Sequence, residues 1–185
     1  MPSPTQLQEL VESTVLEPAP PEEAPRPSLA GVGGPQAGPQ SPGQGEPVSY
    51  KELFQAVGAE SGWDWRLLAA LAYRESRLDP LALGRDNDMG LMQILPSTWN
   101  EFAPGVAAGD PFNPWDSATV AAAYLSYLQA RLDGVGHGEI YWVLAAYNWG
   151  PENVERLLAR GGEWYDMPAR QRRYVADILE AAFGP

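Results

Sequence analysis

From Ser49 to the C-terminus, apolar side chains recur every three or four residues, and glycines, prolines or polar residues interrupt them at short intervals. That spacing marks one face of a helix, so the region reads as helices joined by short loops. Ser49, with Glu52 three residues later, forms a capping box that opens a helix running to about Gly58. Asp64 caps a second helix, Trp65 to about Ser76, which Pro80 keeps from extending far. Gly90 to Leu95 reads as one short helix, and Pro96 suits the first turn of the next. Asn113-Pro114 opens a longer helix with Ala118, Ala121, Ala122, Leu125, Leu128 and Leu132 on one face. Ile140, Val143, Leu144 and Tyr147 mark another, stopped by Gly150 and Pro151, and two more follow over about 151–160 and 168–183. No stretch alternates strictly between apolar and polar residues within hairpin turns. The predicted fold is therefore all-α, a single helical domain over residues 48–185.

The first 47 residues read differently. They hold eleven of the nineteen prolines, and 30–47 is almost entirely Gly, Pro, Gln, Ser and Glu. Such a segment buries too little apolar surface to offset its ordering entropy, which predicts a flexible Pro/Gly-rich tail, dispensable for fold and catalysis. Leu7, Leu10, Val11, Thr14 and Val15 do fall at helical spacing. Between Pro4 and Pro18 they read as a transient helix in that tail, with a docking peptide as the alternative. The tail would suit a tether to a larger assembly.

Composition narrows the chemistry. The formal charge of −12 argues against nucleic acid as a partner. With no cysteine, thiol catalysis and thiolate metal sites are excluded. The one histidine, His137, sits between two glycines and reads as a solvated loop residue. It leaves no Ser-His-Asp triad and no multi-histidine metal site. Asp86-Asn87-Asp88 lacks EF-hand spacing, so no metal or cofactor is expected. Chemistry falls to carboxylates, hydroxyls and amides. The N-terminus shows no basic region followed by an apolar run, so no signal peptide is visible, and the strongest apolar stretch, 67–73, is too short to span a bilayer.

One carboxylate stands out. Glu75 is spaced i+8 and i+4 from Leu67 and Leu71, on the stripe that the second helix sends into the core. Lost solvation and the negative end of the helix dipole both favour its neutral form, as a general acid for glycosidic cleavage requires. The plainer alternative is a glutamate at the edge of the buried face, paired with Arg74 or Arg77.

Three further segments bear on that choice. Glu75-Ser76 is followed by Gly90-Leu91-Met92-Gln93, then by Ala146-Tyr147-Asn148-Trp149-Gly150-Pro151, and last by Tyr174-Val175. In this order and spacing they resemble the soluble lytic transglycosylase family, whose helical, lysozyme-like core is shared with goose-type lysozymes. The resemblance covers roughly Ser49 to Phe183. It implies that Glu75 protonates the oxygen between N-acetylmuramic acid and N-acetylglucosamine, then takes the proton of the muramic acid C6 hydroxyl as that oxygen attacks C1. The resemblance further implies that Met92 and Gln93 line the cleft, that Tyr147 and Asn148 sit near the reacting sugar, and that Tyr174 is a weaker match. The Tyr147 phenol would reach the catalytic carboxyl or the substrate. Gln93 and Asn148 also read as buried amides that need polar company. Trp149, and less so Trp99, Trp115 and Trp142, are candidates for stacking on sugar rings. Where the family usually has serine nine residues after the glutamate, this chain has Gly84.

Two other functions stay open. A hydrolase would need a second carboxylate roughly 6.5–9.5 Å from the first to activate water, and Asp88, with Asp86 behind it, is the candidate. A non-catalytic wall-binding or virion structural protein could retain the same fold. The implied substrate, peptidoglycan glycan strands, lies in the bacterial cell wall. That implies a periplasmic, extracellular or virion-associated place of action.

Overall fold

The computed structural model describes residues 1–16 and 49–185, and among these residues eight α-helices carry the fold. They are α1 Pro4–Ser13, α2 Tyr50–Ser61, α3 Trp65–Ser76, α4 Pro96–Phe102, α5 Pro114–Asp133, α6 Ile140–Trp149, α7 Pro151–Leu158 and α8 Ala169–Phe183. Short 3-10 turns at Ala103–Val106 and Trp164–Asp166 complete them. The all-α expectation holds, and most predicted helix starts fall where the caps placed them. Ser49 and Glu52 form the reciprocal capping box of α2, Asp64 caps α3, and Asn113 accepts from the Trp115 and Asp116 amides at the start of α5.

The centre of the domain is α3. Leu67, Leu68, Ala69, Ala70, Leu71 and Ala72 are all buried, so the apolar middle of the helix is covered on every side. It packs between α2 and α8, while α5 and α6 complete the core. Among the described residues no helix is long and apolar enough to cross a membrane.

Three expectations are corrected. Gly90–Leu95 is no helix. Met89 and Ile94 pair in an antiparallel bridge, and the residues between them turn through left-handed backbone at Gly90 (φ 68°) and Gln93 (φ 48°). Gly90 is needed there twice over, because a Cβ would also strike the Pro111 carbonyl oxygen.

The reading of α1 as a transient helix in a tail also fails. Ser3 and Gln6 form a capping box, Pro4 occupies the first turn, and Leu7 (2% exposed) and Val11 (0%) are buried against the domain. The helix rests on α2, α8 and α3, and burying two such side chains stabilises by about 3–5 kcal/mol in all. Val15 and Ser49 pair as an antiparallel bridge, and the Tyr50 amide donates to Thr14 O. The ends flanking 17–48 therefore meet on the domain surface. Residues 17–48, most of the predicted tail, lie outside the described residues. His137 is the third correction: it is half-buried, edge-on to Trp142 with ring centroids 6.1 Å apart.

Candidate active site

Glu75 occupies the last turn of α3, and the backbone there is unusual. Arg77 (φ 61°) and Leu78 (φ 66°) follow it in left-handed conformation, though neither is glycine. Such backbone costs of order 1 kcal/mol or more per residue and persists where surrounding structure enforces it. Here Leu78 is buried and the chain must turn at once from the helix toward the loop that carries the 90–93 turn.

That turn is held by three helices through two residues. Ser76 Oγ of α3 donates to Leu91 O at 2.7 Å. The Met92 amide donates to Ser117 Oγ of α5 at 3.2 Å, and Tyr147 Oη of α6 donates to Met92 O at 2.9 Å. Gln93 braces the same loop, its Nε2 donating to Gly90 O at 2.9 Å and Ala82 O at 3.1 Å. The turn keeps backbone bonds of its own, between Met89 and Ile94 and from the Gln93 amide to Gly90 O, and side chains aligned by three helices satisfy the Leu91 carbonyl and both backbone groups of Met92.

The Glu75 residue is half-buried, but protein closely surrounds its carboxyl. The Tyr174 hydroxyl of α8 donates to Glu75 Oε1. Among the described residues no cation forms an ion pair with Glu75: Arg74 turns toward Asp177 and the Tyr174 ring, and Arg77 lies over the Tyr73 ring. Burial therefore dominates and pushes the Glu75 carboxyl up to about 7. The Tyr174 hydrogen bond and the Arg74 charge oppose that rise, and the Asp88 charge adds to it. Glu75 is then substantially protonated at neutral pH, the state of a general acid, while able to ionise within the same range. Tyr147 and Tyr174 are driven far from ionisation by burial, so both act as neutral donors.

The other expected residues divide. Tyr174, the weaker match, is the one that touches Glu75. Tyr147 instead holds the Met92 carbonyl, so its hydroxyl is spent on the turn. The Met92 side chain is fully buried in the core, which closes it off from a cleft; its backbone is what the site uses. Asn148 is exposed at the end of α6, so it is not the buried amide expected. Gln93 is half-buried and bonded. Trp149, Trp99 and Trp115 are half-buried against the core, and Trp142 is buried in it. Asp86 is exposed. Asp88 is half-buried, near enough that its charge acts on both Glu75 and Tyr147. Its carboxylate fills the space beside Gly84, where any Cβ would strike it and also come within 2.7 Å of Gln93 Oε1. The glycine at that position and the aspartate four residues later fit each other.

One residue escaped the sequence reading and another entered it without a role. Ser117 is fully buried among the α5 apolar residues, and a polar residue on the stripe of Ala121 and Leu125 was the available signal. Ser76 was read only as part of the Glu75-Ser76 pair, with no role for its hydroxyl. Among the described residues no cluster of His, Cys, Asp or Glu is arranged to hold a metal ion.

The family described as Transglycosylase SLT domain matches residues 52–164, more than half of the chain. A membrane-bound lytic murein transglycosylase F of Alcanivorax borkumensis is 38% identical over 130 residues, 65% of this chain and 27% of that protein. One of Maricaulis maris is 41% identical over 127 residues, 64% of this chain and 27% of that protein. The chain therefore spans about a quarter of the length of these curated relatives. Among solved structures, the 70 kDa soluble lytic transglycosylase SLT70 from Escherichia coli shares the fold with a TM-score of 0.62 at 23% identity, over 74% of this chain and 24% of that one. The chain belongs to the Transglycosylase SLT domain family.

Proposed function

We propose that this chain cleaves the β-1,4 bond between N-acetylmuramic acid and N-acetylglucosamine in peptidoglycan, as a lytic transglycosylase with Glu75 as its acid and base. The observation that carries the reading is the Glu75 carboxyl, surrounded by protein, with one neutral donor on it and a proton affinity near neutrality. Relatives bearing the name lytic murein transglycosylase support the substrate class. In the proposed reaction Glu75 gives its proton to the glycosidic oxygen as the bond from C1 breaks. The C6 hydroxyl oxygen then bonds to C1 and returns its proton to the Glu75 carboxylate. No water is consumed, and the product carries a 1,6-anhydro end. Tyr174 holds one carboxyl oxygen in both states, leaving the other free for the proton. The place of action would be the cell wall.

One observation favours hydrolysis as a second reading: Asp88 presents a carboxylate to the same site as Glu75. There it could activate a water on the far face of the sugar. Clearing of purified cell walls by wild type and Glu75→Gln tests the enzyme reading. Cleavage by the wild type alone supports it, and equal behaviour of the two would end it. An Asp88→Asn variant that still cleaves would remove the hydrolytic reading.

A further inference from the structure

Arg74 is held in a way that its position in α3 does not explain. A cation in the last turn of a helix is ordinary, because it offsets the negative end of the dipole. Such a side chain would normally spread its donors into water. Here the guanidinium lies over the face of the Tyr174 ring, 5.1 Å from the centroid. Its Nε is buried and, among the described residues, has no hydrogen-bond partner. The nearest carboxylate oxygen, Asp177 Oδ2, is 3.8 Å away, close enough for charge attraction and too far for a hydrogen bond. A buried, unbonded guanidinium N–H is costly and calls for a reason.

The ring beneath it supplies one. Tyr174 is the residue whose hydroxyl donates to Glu75. A positive charge over the ring face draws electron density from the phenol and makes its O–H a stronger donor. The same charge acts directly on Glu75, favouring its ionised form. Asp177 works the other way. It lies one helical turn beyond Arg173, 3.8 Å from that guanidinium as well, and it partly neutralises Arg74.

We propose that the Arg74–Asp177 pair sets how firmly Glu75 holds its proton, by the Arg74 charge acting directly and through the ring of Tyr174 beneath it. Arg74 is a positioning residue: it does not touch the reacting atoms. The groups facing Glu75 are then Arg74 from α3, Tyr174 from α8, Tyr147 from α6 and Asp88 from the loop before the 90–93 turn. Among the described residues, Arg74 is the one of these with an ion-pair partner, Asp177, to adjust its influence. The proposal rests on Glu75 being the catalytic acid, but its test does not require turnover.

The experiment follows Glu75 itself. Protein labelled with carbon-13 at the glutamate side-chain carboxyls is titrated by NMR, with Glu75→Gln identifying the signal. Arg74→Gln should move the Glu75 midpoint to higher pH by about half a unit or more, since a favourable charge is removed. Asp177→Asn should move it to lower pH, since Arg74 then acts unopposed. Arg74→Lys, which keeps the charge, should remain nearer wild type than Arg74→Gln. The alkaline limb of any cleavage profile should follow the same order, in kcat more than in KM. Opposite shifts in the two variants are not expected of residues that merely hold the fold. A midpoint unmoved in both variants, or moved in the same direction, would overturn the proposal. If Arg74→Gln fails to fold, an Asp177→Asn midpoint that stays or rises does so alone. Absence of wall cleavage with the opposite shifts intact would count against the proposed function and leave this inference standing.

Discussion

The Tyr174 hydroxyl donates to the Glu75 carboxyl across 99 residues of chain, joining the end of α3 to the middle of α8. This contact is the sole direct hydrogen bond on the carboxyl among the described residues, and it fixes one of its two oxygens. It stabilises the carboxylate more than the neutral acid, and so restrains the rise that burial imposes.

Tyr174→Phe should therefore raise the Glu75 midpoint above about 7 and shift the alkaline limb of the cleavage profile upward. Hydrogen bonds to charged groups are worth about 1.5–3 kcal/mol, so activity should fall at least roughly tenfold. A pH–rate profile checks both. A downward shift would show that the phenol serves the neutral acid instead.

Glu75→Gln should abolish cleavage without harming the fold. The Glu75 carboxyl binds its proton more tightly when folded, so the stability this confers is full below the ordinary carboxylate value and is lost as pH rises through about 7. The amide retains an acceptor for Tyr174 and carries no charge. The variant and wild type should match near pH 4, and the variant should be more stable above pH 7 by on the order of 2 kcal/mol, allowing for partial exposure. Denaturant midpoints across that range measure the difference. A variant clearly weaker at pH 7 would mean that the carboxylate is held by a structural partner.

Tyr147→Phe removes the donor on Met92 O and leaves that carbonyl unpaired in a half-buried place. Stability should drop by about 1–2 kcal/mol, with lower activity from a loosened turn. Thermal melts together with wall-clearing rates test this. A change in activity with the Glu75 midpoint shifted as far as in Tyr174→Phe would place Tyr147 on the carboxyl after all.

The docked α1 predicts a division within the first 48 residues. Deleting 1–16 exposes the surface that Leu7 and Val11 cover and should lower the melting temperature by about 5 °C or more. Replacing 17–48 by a short linker between Leu16 and Ser49, beside the existing Val15–Ser49 bridge, should leave it unchanged. Calorimetry of the two variants decides. Equal melting temperatures in both would return α1 to the status of a loose arm.

Much of this fold could be read from caps and spacing. Ser49, Asp64, Asn113 and Gly150 bound their helices because their chemistry is local, and Glu75 was visible because it broke an apolar stripe. What was missed depends on distant residues. Gly90–Leu95 has helical spacing, yet Ser76, Ser117 and Tyr147 claim its backbone groups from three separate helices. Leu7 and Val11 carry too little apolar surface to announce a docking site, and only α2, α3 and α8 together provide one. The roles of the two tyrosines differ for the same reason: nothing in either motif says which hydroxyl reaches the carboxyl.

The central claim is the chemistry at Glu75, and the mass of the products tests it most directly. Purified cell walls digested to completion by this protein should yield fragments ending in 1,6-anhydro-muramic acid, each lighter by one water than the hydrolysed form. Glu75→Gln should yield none. Fragments with ordinary reducing ends, or cleavage that survives in Glu75→Gln, would contradict the account.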